Sequence, residues 1–316
     1  MDKIFVCEIP ENIKRIFATE ERVYSKADIL SGGFEGIRYI FSTWGMPAFT
    51  EQEIKKYLPS LEAVFYGAGT VQTFARPFLN CGIRVFSAWA ANAVPVAEYT
   101  VAQIILANKG FFKTMRYTDR READQLTKAF PGNYGVSIGI IGAGMIGKLV
   151  IGMLKAYNLD VLVFDPFLPE EKARELGVEK VSLETLFARC QVVSNHLANN
   201  AQTKGMLHGA LLETMLPYAT FINTGRGAQV VEADLIRVLR ERPDLTAILD
   251  VTDPEPPVAD SLLYTMPNCI LTPHIAGSLG NEVRRMGRFM EEEFACYLAK
   301  KTCKYEVTYD MLETMA

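Results

Sequence analysis

The sequence is short of several residue types, and each shortage excludes a class of site or partner. Histidine occurs only three times in 316 residues, so few side chains are available for acid/base chemistry near neutral pH. The six cysteines are scattered without a Cys-x-x-Cys pair, which disfavours a zinc site and is typical of reduced thiols in a cytoplasmic protein. Lys and Arg (33) do not outnumber Asp and Glu (37), and the net charge of -4 disfavours binding to a nucleic-acid backbone.

Long hydrophobic runs are also lacking. The first apolar stretch, Ile4–Cys7, stops at Glu8 and is too short for the core of a signal peptide. The best internal stretch, Val94–Ala107, contains Glu98 and Gln103 and falls short of the roughly 20 apolar residues that span a bilayer. We therefore expect no membrane partner.

What the sequence does contain is an alternation of short apolar runs with helical patterns, which is typical of α/β folds with parallel strands. At roughly 150 residues per domain, the length predicts two domains. The predicted strands of the first series are Ile4–Cys7, Tyr39–Ser42, Ala63–Tyr66 and Arg84–Phe86. Those of the second series are Ser137–Ile141, Val161–Phe164, Val192–Ser194, Thr220–Ile222, Ala247–Asp250 and Ile270–Leu271.

Three helical patterns matter for the outline of the chain. A helix is predicted over Glu51–Leu58, with Thr50 as its N-cap. Longer helices are predicted over Val94–Tyr117 and Asn281–Lys300, on either side of the second α/β series. The polar passage Thr118–Asn133 is predicted to be a loop.

A glycine-rich stretch follows the first strand of the second series and opens a helix. It reads Gly142-Ala143-Gly144-Met145-Ile146-Gly147 and fits the pattern G-x-G-x-x-G. In this pattern the first glycine allows a tight turn, the second lets backbone approach a pyrophosphate, and the third lets helix and strand pack closely. Free N–H groups at the helix start then hold the phosphates. An incidental packing turn is the plainer alternative, but it does not explain the order of strand, loop, helix, second strand and acid.

Asp165 is the acid that ends this order. It lies 18 residues after Gly147, close to the spacing of about 20 at which the ribose-binding carboxylate of a dinucleotide site is expected. A carboxylate there accepts hydrogen bonds from ribose hydroxyls and repels a 2′-phosphate. Since no Arg or Lys stands beside it, the sequence favours NAD over NADP.

The three histidines differ in their settings. His208 has a helix-end context and is most simply a surface residue. His196 follows a buried-looking strand, where a structural role is the plainer interpretation. His274 lies between Pro273 and Ile275, just beyond a strand, and the carboxyl ends of strands in open α/β sheets face the ligand crevice. His274 is therefore a candidate acid/base.

Two further strand ends carry charged residues. Arg226 stands between two glycines, and Glu255 follows the strand Ala247–Asp250. The plainer alternatives are a surface salt bridge for the arginine and a solvated loop acid for the glutamate.

Taken together, these stretches are similar to those of the D-isomer-specific 2-hydroxyacid dehydrogenases. The stretches that carry the resemblance are Gly142–Gly147, Asn223–Gly227, Asp250–Pro256 and Thr272–Gly277. The resemblance implies two Rossmann-like α/β domains, in which an NAD-binding domain (94–284) is inserted into a split, flavodoxin-like substrate domain (1–93 plus 285–316). It also implies a homodimer.

The resemblance implies roles for three residues. Arg226 resembles the arginine that binds the substrate carboxylate and polarises its carbonyl, His274 resembles the acid/base, and Glu255 resembles the glutamate paired with it. The roles are chemically consistent. A protonated imidazole donates to the oxygen that gains negative charge, the glutamate orients the ring, and the guanidinium supplies a rigid fork of donors.

Further contacts come from the same resemblance. Besides the glycine stretch and Asp165, the expected cofactor-binding residues are His196, Thr203, Thr224, Gly225, Asp250 and Gly277, with Asp250 on the carboxamide of the nicotinamide. The loop Gly67-Ala68-Gly69 is expected to receive the substrate carboxylate through its N–H groups, a simple strand-to-helix turn being the alternative. Trp44 either walls the substrate pocket or packs in the core.

The chain departs from the family pattern in two places that bear on function. Ala198 and Ala201 stand where prolines are usual, so the loop around them is expected to be more mobile. The loop Phe41–Met46 contains no cation to bind a phosphate, so 3-phosphoglycerate is not the predicted substrate.

The sequence thus predicts an NAD-dependent enzyme that reduces a small 2-oxoacid, such as glyoxylate or hydroxypyruvate, to a D-2-hydroxy acid. The main alternative is an NAD(H)-sensing protein of the corepressor kind on the same fold. Formate oxidation is a third alternative, which the carboxylate at Glu255 disfavours because an amide is expected there.

Overall fold

The computed structural model describes residues 2–115 and 117–312, which form two compact units. Unit 1 comprises Met1–Ala93 and Ser278–Ala316, and unit 2 comprises Val94–Gly277. The sequence predicts a return to the first domain at residue 285, whereas the structure returns at Ser278. The reason is local: the Ser278 N–H donates to Asn92 Oδ1 (3.0 Å) within unit 1.

Unit 1 is built on one six-stranded sheet. Its strands are β1 (Lys3–Val6), β2 (Val23–Tyr24), β3 (Tyr39–Ser42), β4 (Ala63–Tyr66), β5 (Arg84–Ser87) and β13 (Glu306–Val307). Their order is β13-β5-β4-β3-β1-β2, and all neighbours are parallel except β13, which is antiparallel to β5. The order 2-1-3-4-5 is that of flavodoxin-like folds, as predicted.

Short helices connect these strands, and one long helix follows unit 2 in the chain. They are α1 (Pro10–Phe17), α2 (Lys26–Leu30), α3 (Glu51–Tyr57), α4 (Ala75–Asn80), α13 (Val283–Leu298) and α14 (Tyr309–Leu312). The predicted cap of α3 is confirmed: Thr50 Oγ1 accepts from the Glu53 N–H (3.2 Å), and Glu53 accepts from the Thr50 N–H (2.8 Å).

Four phenylalanines form the centre of the core of unit 1. Phe5, Phe41, Phe65 and Phe86 are in register on neighbouring parallel strands. The rings of Phe65 and Phe86 stack at 4.8 Å between centroids, and those of Phe41 and Phe65 at 5.2 Å. Phe294 of α13 contacts the face of this row edge-on, 5.1 Å from Phe65. Stacked and edge-to-face aromatic pairs of this kind stabilise a core beyond their buried area.

Unit 2 is built on a seven-stranded, fully parallel sheet. Its strands are β6 (Tyr134–Ile141), β7 (Asn158–Phe164), β8 (Glu179–Lys180), β9 (Val192–Asn195), β10 (Thr220–Asn223), β11 (Thr246–Leu249) and β12 (Cys269–Leu271). The order is β12-β11-β10-β9-β6-β7-β8. The chain starts at β6, runs outward to β8, and then restarts at β9 on the other side of β6. This reversal is the topological switch point at which Rossmann folds bind dinucleotides.

The helices of unit 2 cover both faces of its sheet. They are α6 (Phe111–Thr114), α7 (Arg120–Thr127), α8 (Met145–Leu154), α9 (Glu170–Leu176), α10 (Leu183–Arg189), α11 (Gly209–Leu212) and α12 (Glu232–Glu241). They are preceded by α5 (Trp89–Asn108), which begins in unit 1 and continues into unit 2.

Two of the predicted boundaries are wrong in this region. Helix α5 begins at Trp89 instead of Val94 and ends at Asn108, because Gly110 adopts a left-handed φ of 69°. The passage predicted to be a loop contains α7, which Asp119 caps by accepting from the N–H groups of Arg121 and Glu122. The sequence does not indicate this helix by an apolar periodicity, because α7 buries no residue and therefore has no apolar face.

Helix α5 is, among the described residues, the one helix that is long and apolar enough to cross a bilayer by length and composition. Its most apolar part is 61% buried inside the structure. Buried core helices meet the same criteria, so this helix is weak support for a membrane span.

We expect Phe65→Ala to destabilise unit 1 by about 3–5 kcal/mol, because it leaves a cavity beneath both stacked neighbours. Both tryptophans of the chain, Trp44 and Trp89, lie in unit 1, so urea unfolding followed by tryptophan fluorescence reports on this unit. The matched control is Phe167→Ala, since Phe167 is 76% exposed. An equal midpoint for the two variants would contradict the role given to the phenylalanine row.

Candidate active site

The three strand ends singled out in the sequence lie side by side. Strands β10, β11 and β12 are neighbours in one parallel sheet, so their carboxyl ends share an edge. Arg226 follows β10, Glu255 follows β11 and His274 follows β12. Parallel pairing therefore brings together three side chains that are far apart in the sequence.

His274 and Glu255 form the closest pair at this edge. The His274 Nδ1–H donates to Glu255 Oε1 at 2.6 Å. Both side chains remain partly open to solvent, at 49% and 41% exposure. Within the described residues, His274 Nε2 makes no hydrogen bond. The glutamate thus fixes the ring orientation and leaves Nε2 free to exchange a proton with a ligand.

The backbone around His274 is held by Asp250. His274 has a left-handed φ of 54°, which costs energy for a residue with a Cβ and persists only where neighbours enforce it. Asp250 accepts from Thr272 Oγ1 (2.6 Å), the Ile275 N–H (2.8 Å) and the Ala276 N–H (2.8 Å). Its main-chain oxygen accepts from the His274 N–H (3.1 Å). Asp250, which the sequence predicts to bind the cofactor, thus supports the loop that carries His274.

Arg226 lies half-buried beside this pair. Its Nη1 donates to the Gly225 carbonyl (2.7 Å), and burial lowers the pKa of its guanidinium while attraction to Glu255 opposes that shift. The loop that carries it must contact its neighbour closely, since a Cβ on Gly227 would lie 1.9 Å from the Thr252 carbonyl carbon. Gly227 thus locks the arginine loop against the loop that leads to Glu255.

A network of buried amide side chains lies beneath the arginine loop. Asn195 Nδ2 donates to Asn223 Oδ1 (3.0 Å) and to Gln229 Oε1 (2.6 Å). Asn223 Oδ1 also accepts from the Gly225 N–H, and Gln229 Oε1 from the Arg226 N–H. Sequence analysis missed this network, because its members belong to three separate segments and follow no local pattern.

Gln229 extends the network to the loop that lacks prolines. Its Nε2 donates to the carbonyls of Leu197 (2.8 Å) and Ala198 (2.9 Å). One buried side chain therefore fixes both the backbone of Arg226 and the start of the loop predicted to be mobile. The hydroxyl of Thr203 closes the rest of that loop by donating to the Ala198 carbonyl (2.8 Å).

The glycine stretch has the shape that a dinucleotide requires. Gly142 has a φ of 91°, and a Cβ there would lie 2.9 Å from the His196 carbonyl oxygen. A Cβ on Gly147 would lie 2.0 Å from the Gly142 carbonyl oxygen. A Cβ on Gly144, in contrast, would meet nothing within 4 Å, so the surface above it is open. The first and third glycines are required by packing, and the second leaves room for a pyrophosphate.

Helix α8 begins directly at this opening. Met145 is its first residue and is partly exposed, whereas Ile146 packs its side chain against the core beneath. The first N–H groups of a helix have no partner within it, so the residues from Met145 to Gly147 present donors to an anion. The residues present therefore fit the pyrophosphate of NAD.

Asp165 lies beside the same loop, at the end of β7. Its Oδ2 accepts from the Ala143 N–H and its Oδ1 from the Phe167 N–H, both at 2.8 Å. Each oxygen keeps a lone pair, which fits the hydroxyls of a ribose and opposes the charge of a 2′-phosphate.

Comparison with known proteins agrees with this geometry. A family model described as "D-isomer specific 2-hydroxyacid dehydrogenase, NAD binding domain" matches residues 101–276, which is more than half of the chain. The chain belongs to this family.

Curated relatives in the family carry several names. The D-3-phosphoglycerate dehydrogenase of Archaeoglobus fulgidus is 31% identical over 67% of this chain and 40% of its own length. The (S)-sulfolactate dehydrogenase of Chromohalobacter salexigens is 31% identical over 72% of this chain and 74% of its own. This chain spans about 40% of the length of the phosphoglycerate dehydrogenases that it matches.

Solved structures share the fold at lower identity. The NAD complex of a D-isomer specific 2-hydroxyacid dehydrogenase from Lactobacillus delbrueckii ssp. bulgaricus aligns with a TM-score of 0.78 at 20% identity, over 97% of this chain and 100% of that one. The apo D-lactate dehydrogenase of Escherichia coli aligns with a TM-score of 0.70 at 21% identity, over 97% of this chain and 100% of that one. The match to the family's NAD-binding domain, residues 101–276, falls within unit 2.

Two residues expected in the cofactor site have side chains that point into the protein. His196 is buried, with Nε2 bonded to Ser194 Oγ (2.9 Å) and Nδ1 to Thr224 Oγ1 (3.3 Å). Burial lowers its pKa to about 3, so the ring is neutral. The Thr224 hydroxyl, which bonds to His196, also lies within hydrogen-bond distance of Thr100 Oγ1 (3.4 Å). Gly225 adjoins the amide network, and Gly277, the last residue of unit 2, is half-buried.

The loop expected to receive the substrate carboxylate lies in unit 1. Its carbonyls are occupied: Thr43 Oγ1 donates to Gly67, and Ser87 Oγ donates to Ala68 and Gly69. Within the described residues, the N–H groups of Ala68 and Gly69 make no hydrogen bond. The loop therefore presents unpaired donors. Trp44, which precedes this region in the chain, is 39% exposed and so is not a core residue.

No group of three or more metal-ligating side chains that could hold an ion occurs in the described part of the chain.

We expect Gln229→Leu to destabilise unit 2 by about 1–3 kcal/mol, because it leaves the Leu197 and Ala198 carbonyls and the Arg226 N–H without their buried partner. Urea unfolding followed by far-UV circular dichroism measures the loss. The matched control is Gln125→Leu on the exposed surface of α7. The cost of combining Gln229→Leu with Asn195→Leu should be smaller than the sum of the two, since the polar pair is then removed together. Additive costs would contradict the network.

His196 predicts a pH dependence of stability. Its pKa is near 6.5 when unfolded and about 3 when folded, so the unfolded chain gains a proton first as the pH falls. Stability from this residue is therefore full above pH 6.5 and decreases toward pH 3, by about 2 kcal/mol between pH 7 and pH 5. Between pH 7 and pH 5, the free energy of unfolding should therefore fall less in His196→Gln than in the wild type. His208→Gln removes an exposed histidine and should keep the wild-type difference.

Proposed function

We propose that the protein is an NAD-dependent oxidoreductase that reduces a small 2-oxoacid to the D-2-hydroxy acid, and catalyses the reverse reaction. The contact that carries the proposal is the 2.6 Å hydrogen bond from His274 Nδ1 to Glu255, beside a half-buried Arg226. Membership of the D-isomer specific 2-hydroxyacid dehydrogenase family and the fit of the glycine stretch to NAD support it.

The chemistry that NAD supplies when bound is hydride transfer to or from the carbon that carries the substrate oxygen. During reduction, negative charge grows on that oxygen, and the proton on His274 Nε2 passes to it. The Glu255 carboxylate stabilises the ring while it is positively charged and holds it in one orientation. In the oxidative direction, Nε2 accepts the proton from the hydroxyl group. One hydride and one proton are thus added or removed in each turnover.

Arg226 binds the other end of the reacting group. One of its nitrogens is bonded to the Gly225 carbonyl, and the remaining donors of its planar fork fit a carboxylate and the adjacent carbonyl oxygen. Because Arg226 is half-buried, the attraction of its guanidinium for the growing charge is screened less than at a fully exposed site. The unpaired N–H groups of Ala68 and Gly69 offer a further place for a carboxylate.

The substrate is proposed to be glyoxylate, hydroxypyruvate or a similar short 2-oxoacid. The loop Phe41–Met46 contains no cation, which disfavours a phosphorylated substrate. The curated relatives are named for phosphoglycerate and for sulfolactate, so the phosphorylated and sulfonated 2-oxoacids belong in the test. We further propose a homodimer, on the family resemblance, and a cytoplasmic location, on the scattered cysteines that form no Cys-x-x-Cys pair.

The proposal is tested by NADH consumption at 340 nm with glyoxylate, hydroxypyruvate, pyruvate, 3-phosphohydroxypyruvate and 3-sulfopyruvate. We expect turnover with a short uncharged side chain, and slower turnover with NADPH because of Asp165. His274→Ala should lower kcat by roughly 10²–10⁴-fold, since it removes the proton donor. His208→Ala is the matched control and should retain wild-type turnover.

Tight NADH binding without turnover on any of these acids would overturn the proposal. That result would favour the alternative of an NAD(H)-sensing protein on the same fold.

A further inference from the structure

An arginine cluster lies at the start of α13, in unit 1. Arg284, Arg285 and Arg288, together with Asn281 and Glu282, line an open surface depression of about 530 Å³. None of these residues is among those assigned to the site described above.

The three arginines carry charges that no described side chain balances. Within the described part of the chain, none of them forms an ion pair, although Glu291 and Glu292 follow on the next turn of the same helix. Arg284 and Arg288 are exposed, and Arg285 is half-buried. The Nη1 of Arg285 is fully buried and makes no hydrogen bond. A buried donor of this kind is rare in native proteins and requires an explanation.

The position of the cluster makes its charge more unfavourable. Helix α13 begins at Val283, so Arg284 and Arg285 lie in its first turn, where the helix dipole is positive and cations are disfavoured. Arg284 and Arg288, and likewise Arg285 and Arg288, are neighbours on the helix surface and repel each other. The single acid among the lining residues, Glu282, is engaged by the Leu279 N–H (2.8 Å).

We infer that this depression is a binding site for a small polyanion that carries phosphoryl or carboxylate groups. Guanidinium groups bind both kinds of oxyanion through paired N–H donors. Side chains spaced by three and four residues have Cβ atoms only about 5–6 Å apart, so one compact anion contacts Arg288 together with both neighbours. The carboxylate of Glu282 opposes a weak monoanion, so the ligand needs two or more negative charges.

Pyrophosphate and citrate are the probes, added to the wild-type protein in saturating NAD. The bound NAD occupies the glycine stretch, which would otherwise bind pyrophosphate itself. Isothermal titration calorimetry gives the dissociation constant, and sodium chloride at matched ionic strength gives the effect of salt alone. Binding of pyrophosphate only identifies a phosphoryl site, and binding of citrate only identifies a carboxylate site.

We expect Arg288→Gln and Arg285→Gln each to weaken binding by at least tenfold. Arg240→Gln is the matched control, because it removes the same charge from an exposed position on α12 in unit 2. Arg288 is exposed, so its variant keeps the test valid if Arg285→Gln fails to fold, which circular dichroism would show. Equal binding in the wild type and Arg288→Gln, or no binding of either probe beyond the effect of salt, would overturn the inference and leave a solvated basic face.

Discussion

Asp250 lies at the carboxyl end of β11 with only 2% of its surface exposed, and its carboxylate accepts three hydrogen bonds from the loop that carries His274. A carboxylate removed from water must be fully bonded, so the loop has little freedom to move away. The left-handed backbone of His274 is a consequence of this attachment. The position of the imidazole, and with it the pairing to Glu255, therefore depends on an acid that is itself buried.

The amide network gives Arg226 a comparable support by different means. An amide side chain both donates and accepts hydrogen bonds. Gln229 therefore accepts from Asn195 and from the Arg226 N–H while it donates to the Leu197 carbonyl in the neighbouring loop. Proline would stiffen a loop by restricting its backbone, whereas this network stiffens it from beneath through directed hydrogen bonds. The side-chain amides of Asn195 and Gln229 are buried, and all their donors and acceptors are hydrogen-bonded. The loops are therefore held in place by hydrogen bonds and not by residues that restrict the backbone.

Much of this arrangement is predictable from the sequence, and the reasons for the rest are physical. The glycine stretch, Arg226, Glu255 and His274 are found because each lies next to a strand with a local pattern. The amide network is not found, because hydrogen bonds between residues such as Asn195 and Gln229 depend on which strands become neighbours. The same holds for the role of Asp250, whose partners follow a different strand. Helix α7 is missed for the opposite reason: its stability is local and leaves no apolar periodicity.

Unit 1 is made of two separate pieces of chain, and this affects the order in which the protein takes shape during synthesis. At the usual pace of translation, roughly ten to forty seconds pass between the emergence of Ala93 and of Ser278. Throughout that interval, the row of phenylalanines has no α13 to cover it, and the outer edge of β5 has no β13 beside it. Unit 2 is continuous and is able to complete its fold within the same interval. During synthesis, the part of the chain most exposed to aggregation is therefore the incomplete sheet of its first 93 residues, with its uncovered aromatic face and its unpaired edge.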